Sequence, residues 1–228
     1  MHIAFLTSEY PHPKVSHAAG IATSIKNLAV ALVDKGEQVT IFVYHQDTSE
    51  IIEDQGIKIY LIEKKNFKLL TWYYYRKHLQ HYINAVIKKE KIQIIEAPDW
   101  TGFTAFIKPK CPLVIRENGS DTYFCHLDNR PVKFKNKYLE KRALKNADAI
   151  ISVSHFTGTL TNKLFKLNRP FVVIPNAIDV SAFKPLPKTN TKLTILYFGT
   201  LIRKKGKYGN FWACINRDCG QSYNDFKL

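Results

Sequence analysis

Short apolar runs, each long enough for one strand, recur along this chain between segments whose apolar residues fall at helical spacing. Ile3 to Thr7, Val39 to Tyr44, Ile57 to Ile62, Ile92 to Glu96, Leu113 to Arg116, Ala149 to Ser154 and Phe171 to Pro175 make about seven. Strands apolar on both faces must be covered on both. Their alternation with helical patterns therefore predicts the α/β class, a Rossmann-like parallel sheet with helices on both faces. The first helix is the clearest, because Ile21, Ile25, Leu28, Ala29, Leu32 and Val33 fall on one stripe and Gly36 stands where the helix should stop.

The 228 residues correspond to about one and a half domains of ordinary size. Residues 1–180 are expected to form the first. Pro185, Pro187, Thr189 and Thr191 mark residues 181–192 as a linker. A new strand, Leu193 to Phe198 running into Gly199, reads as the start of a second α/β domain over residues 193–206, left incomplete. Residues 207–228 carry no period of 2 or 3.6 and are expected to be an aberrant or disordered tail. Within them Cys214 and Cys219 lack a second Cys or His pair to complete a tetrahedral site, so no zinc, and no metal elsewhere, is expected. Four cysteines do not make a disulfide framework, and the opening residues are too uncharged for a signal peptide. The expected location is the cytoplasm, with membrane contact limited to a peripheral one at the inner face.

Thirty-four Lys and Arg against nineteen Asp and Glu give a net charge of +15, which favours phosphates, nucleic acid or an anionic lipid surface. Lys64 to Lys91 reads as one long basic helix. Trp72, Tyr75, Leu79, Ile83 and Val86 form its inward stripe, and Tyr73 and Tyr74 lie off it beside Arg76 and Lys77. That outer face suits an anionic membrane surface, or equally a solvated charged face. A second basic stretch runs from Arg130 to Lys145. No nucleic-acid motif accompanies the charge, so no specific nucleic-acid partner is expected.

Open α/β sheets bind ligands outside the carboxyl ends of their strands. There the chain places Gly20 at a helix start, then Glu96, Asp99 and Trp100, then Arg116 and Asn118, and finally Asn176 and Asp179. Gly20 would admit a ligand to the backbone beside a helix N-terminus that favours anions. Trp100 can stack on a sugar or base. Two plainer readings stand beside these: Glu96 and Arg116 pair with each other, and Asn118-Gly119 is a turn. Ser154 is read as the N-cap of the helix that follows it. His12, His17, His126 and His155 show no metal-ligand spacing and read as polar loop or capping residues.

Phe5 to Pro11 with Gly20-Ile21, Ala147 to Ser154, Val173 to Asp179, and Tyr197 to Leu201 with Lys204-Lys205-Gly206 together resemble the family-four nucleotide-sugar glycosyltransferases over roughly residues 1–206. The resemblance implies two Rossmann-like domains across a cleft, the N-terminal one binding the acceptor and the C-terminal one the donor diphosphate. It also implies a retaining sugar transfer without metal or other cofactor, from a nucleotide sugar to a saccharide or lipid-linked acceptor, in polysaccharide synthesis. By the same resemblance Gly20, Arg203 and Lys205 would contact donor phosphate, and Asn118 would stand in the catalytic position where many members carry His. Thr200 replaces an Arg found in many members, and the family's pair of glutamates eight positions apart is absent after residue 206. The resemblance therefore implies a glycosyltransferase with an impaired donor half; the alternative is a non-catalytic acceptor-domain remnant that acts as a membrane-surface or partner-binding module.

Overall fold

A computed structural model describes residues 1–176 and 178. The expected linker, second-domain start and tail lie outside the described residues, as do Asp179, Arg203 and Lys205. In chain order the elements are β1 (His2–Thr7), α1 (Gly20–Asp34), β2 (Gln38–Gln46), β3 (Glu50–Asp54), β4 (Ile57–Glu63) and α2 (Thr71–Glu90). There follow β5 (Ile94–Pro98), a 3-10 segment (Trp100–Phe106), β6 (Leu113–Glu117), α3 (Asp121–Leu127), α4 (Phe134–Asn146), β7 (Ala149–Ser152), α5 (His155–Phe165) and β8 (Val172–Val173).

The strands form one sheet in the order β3-β4-β2-β1-β5-β6-β7-β8, and every neighbouring pair is parallel except β3 with β4. Successive side chains alternate between its faces. On one face Phe5, Ile41, Val43, Ile59 and Leu61 pack with Ile25 and Ala29 of α1. On the other, Ala4, Leu6, Phe42, Tyr60 and Ile62 pack with Leu79, Ile83 and Val86 of α2, with Leu144 of α4 and Phe165 of α5. The expected helices on both faces are present. Every strand matches an apolar run of the sequence except β3, an antiparallel edge strand joined to β4 by a hairpin whose Gln55 and Gly56 both have positive φ, 52° and 76°. That is the backbone of a two-residue hairpin turn, and the glycine at its second position was the available signal.

The long basic helix starts at Thr71 rather than near Lys64, and its inner face includes Arg76, which the helical stripe places outside. Among the described residues no helix is long and apolar enough to cross a membrane. Ser154 is the N-cap expected, its hydroxyl accepting from the Thr157 amide at 3.0 Å.

Candidate functional site

The sheet grows outward from β1 in both directions, to β2 and β4 on one side and to β5, β6 and β7 on the other. The chain leaving β1 enters α1 on one face, whereas the chain leaving β5 enters the Trp100–Phe106 segment, whose Phe103 packs on the other. Between β1 and β5 the connections diverge and leave a crevice at the carboxyl edge. A cleft of about 610 Å³ occupies that place, lined among others by Glu9, Gly20, Trp100, Asn118, Phe124 and Asn176.

Gly20 is the first residue of α1, and a Cβ built on it would meet nothing within 4 Å. Packing within the chain therefore does not require glycine there. The helix end is partly used, because Glu9 Oε1 accepts the Ala22 amide at 3.1 Å. The amides of Gly20 and Ile21, which have no acceptor inside the helix, remain for an anion. Glu9 is itself buried, with its second oxygen 3.7 Å from His17 Nε2. Glu9, His17, Tyr44 and Phe124 also line the cleft, and sequence reasoning missed them there. Applying the strand-end rule to β1, as to β5 and β6, would have found Glu9.

The opposite wall rests on buried acids. Asp99 is buried and accepts the amides of Asn118 at 3.1 Å and Gly119 at 3.3 Å, so it holds the turn rather than facing a ligand, a correction to its expected role. Gly119 has φ +105°, and a Cβ there would stand 2.9 Å from the Phe124 ring. Burial raises Asp99 to about 7, and burial together with the Asp99 charge raises neighbouring Glu117 to about 8. Two carboxyls side by side away from water cannot both ionise cheaply.

Glu96 and Arg116 form the pair that the plainer reading offered, at 2.6 and 3.1 Å through two guanidinium nitrogens. They line a small cavity beside the cleft under α1 rather than offering free charge. The third guanidinium nitrogen donates to the Ile174 carbonyl at 3.1 Å, which fixes the exit of β8. Asn176 thereby reaches Asn118, donating from Nδ2 to Oδ1 at 2.9 Å. With that oxygen engaged, Asn118 offers a ligand its amide NH2. Trp100 is 42% exposed at the rim, 6.3 Å from Phe124 between ring centres. Gly20, Trp100, Asn118 and Asn176 thus share one cleft, with Glu96 and Arg116 behind it. Among the described residues no cluster of His, Cys, Asp and Glu could hold a metal.

Two solved structures share this architecture. The catalytic domain of starch synthase IV from Arabidopsis thaliana, bound to ADP and acarbose, superposes with TM-score 0.52 at 13% identity, over 82% of this chain and 54% of that one. Sucrose-phosphate synthase from Thermosynechococcus elongatus gives 0.53 at 13% identity, over 80% of this chain and 92% of that one. No curated protein matches. The fold is that of the Rossmann-like domains of B-type glycosyltransferases. Residues 18–182 match the model of Glycosyltransferase Family 4, and the chain belongs to that family. It spans about half the length of the starch synthase domain.

Proposed function

We propose that this domain binds the acceptor of a retaining transfer from a nucleotide sugar, the reacting groups meeting at the mouth of the cleft. The acceptor oxygen replaces the nucleoside diphosphate at the anomeric carbon on the same face; the acceptor proton leaves with the departing diphosphate. The Gly20 and Ile21 amides serve the donor phosphate, Asn118 and Asn176 orient the sugar hydroxyls, and Trp100 stacks on a sugar ring. Arg203 and Lys205 neutralise the leaving diphosphate. Asn118 lacks a proton to exchange near neutral pH, so its role is to hold and polarise rather than to act as acid or base. No metal or other cofactor takes part in this reading.

The observation that carries it is Gly20, a glycine at a helix start that lines the cleft and whose Cβ position no protein atom occupies. Gly20→Leu would fill that space without backbone strain, since no positive φ is needed there. We expect it to abolish binding of a nucleotide sugar, read by calorimetry against a panel of donors, while leaving the melting temperature within a few degrees. Unaltered donor binding would defeat the reading.

A further inference from the structure

A second cavity, of about 320 Å³, opens on the far side of the Trp100–Phe106 segment. Trp100 lines the cleft while the next residue, Thr101, lines this cavity. Tyr44 of the cleft stacks at 3.7 Å on Phe103, which belongs to the second wall. Lys64, Lys65, Arg76 and Lys135 stand around it, and no carboxylate contributes to its lining. Some cations elsewhere are paired, Lys26 with Asp54 and Lys58 with Glu90 among them. Among the described residues none of these four has a carboxylate within 4.0 Å.

Arg76 makes this arrangement costly. It is only 6% exposed, its Nε donating to the Phe103 carbonyl at 2.8 Å and one Nη to the Trp72 carbonyl at 2.6 Å, with the guanidinium 4.8 Å from the Phe103 ring centre. Those contacts satisfy hydrogen bonds but bring no negative charge. A buried cation without a counter-charge is unfavourable, and an anion entering the cavity would relieve it. Lys135 is held at the mouth with its ammonium 5.3 Å from the Trp72 ring centre. Exposed apolar residues adjoin the lining in the chain: Leu69 and Leu70, 77% and 57% exposed, directly precede Thr71, and Phe134, 84% exposed, directly precedes Lys135.

We propose that this cavity is the subsite for the phosphoryl group of an amphiphilic acceptor, the four cations taking the phosphoryl charge and Leu69, Leu70 and Phe134 meeting the apolar tail. Four converging cations suit a group of two or more negative charges better than a single carboxylate. The proposal rests on the transferase reading, whose acceptor it describes.

The test is calorimetric titration of the full chain at low salt with inorganic pyrophosphate and with geranyl diphosphate, on wild type and on the exposed double variant Lys65→Ala/Lys135→Ala. Both probes should bind wild type, geranyl diphosphate the tighter by about tenfold through its apolar tail, and the double variant should weaken both by about tenfold or more. Either probe binding the double variant as it binds wild type, or geranyl diphosphate binding no tighter than pyrophosphate, would overturn the proposal. So would binding that Gly20→Leu abolishes and the double variant leaves intact, which would place the anion in the cleft. Failure of the transferase reading shows itself separately, as nucleotide-sugar binding indifferent to Gly20→Leu.

Discussion

Two cavities lie on either side of the Trp100–Phe106 segment, and they are built in opposite ways. The cleft at the carboxyl edge stands on buried carboxyls, Asp99 and Glu117, and its one buried guanidinium, Arg116, is neutralised by Glu96. The second cavity is walled by cations without a carboxylate, and its buried guanidinium, Arg76, has carbonyls and aromatic rings for partners and no carboxylate. A site whose charges are settled internally can offer neutral amides and an aromatic ring, which suits hydroxyl-bearing sugars. A site with unsettled charge is arranged for a ligand that brings its own.

The partition itself is the most sensitive part. Gly102 lies in it with φ +57°, and a Cβ there would collide with the backbone of Leu139 and Glu140 in α4. Neither partner is a flexible side-chain end, so nothing can give cheaply. Gly102→Ala should cost about 3 kcal/mol or more, combining overpacking and backbone strain. Urea unfolding would read this, and a cost below about 1 kcal/mol would mean that the 3-10 segment does not pack on α4 as described.

The two arginines come next. Arg116→Met removes one side of an ion pair and leaves Glu96 and the Ile174 carbonyl unanswered in a nearly buried place. About 2 kcal/mol should be lost, less than for a fully buried pair because each side chain keeps about a tenth of its exposure. Double substitution with Glu96→Gln should recover part of it, and an additive double variant would show that the pair has no coupling.

Much of the cleft was legible because it follows strand ends. Apolar runs ending in Glu96, Arg116 and Asn176 put those positions at one sheet edge before any contact was known, and Ser154 declared itself as a helix cap. Residue type alone could not say which polar strand-end residue would turn inward. Asp99 and Trp100 are neighbours, yet one holds a backbone turn and the other faces the cleft. The second cavity was less legible still. Lys64, Arg76, Phe103 and Lys135 come from four separate elements or loops, and the helical stripe of α2 sets Arg76 outside because a charged residue is expected there. It lies inside because its guanidinium stacks on Phe103, a contact brought by the chain after β5. Strand β3 went unseen because its alternation is short and its two-residue turn carries Gln rather than Asn or Asp before the glycine.

The acid side can be tested through pH. Glu117 ionises near 4.5 when unfolded and near 8 when folded, so between those values the folded chain holds a proton that the unfolded chain has lost. Stability contributed by the neutral form is complete below the unfolded value and is lost as pH rises through the folded one. Glu117 Oε2 also has no hydrogen-bond partner. Glu117→Gln keeps the neutral shape at every pH. It should come closest to wild type near pH 5 and gain on it steadily as pH rises, by about 3 kcal/mol at pH 8. Parallel stability curves for the two proteins from about pH 5 to 8 would show that Glu117 is already ionised in the fold.

Arg76→Met should produce the smallest change in stability, and that is its value. If the guanidinium were part of a settled network, as Arg116 is, its loss would cost about as much. Here the loss of two hydrogen bonds to carbonyls is offset by release of an unneutralised buried charge, and the methionine chain can still cover Phe103. The sum should lie within about 1 kcal/mol of wild type, on either side. High salt should narrow the difference between wild type and this variant little, because burial keeps ions from screening the charge. A cost of about 2 kcal/mol or more would mean that Arg76 is a structural residue like Arg116, and the contrast between the two cavities would then be one of shape alone. A neutral result leaves an arginine that the fold does not need, kept in a cavity whose other cations have no carboxylate partner, and that is what a binding residue looks like.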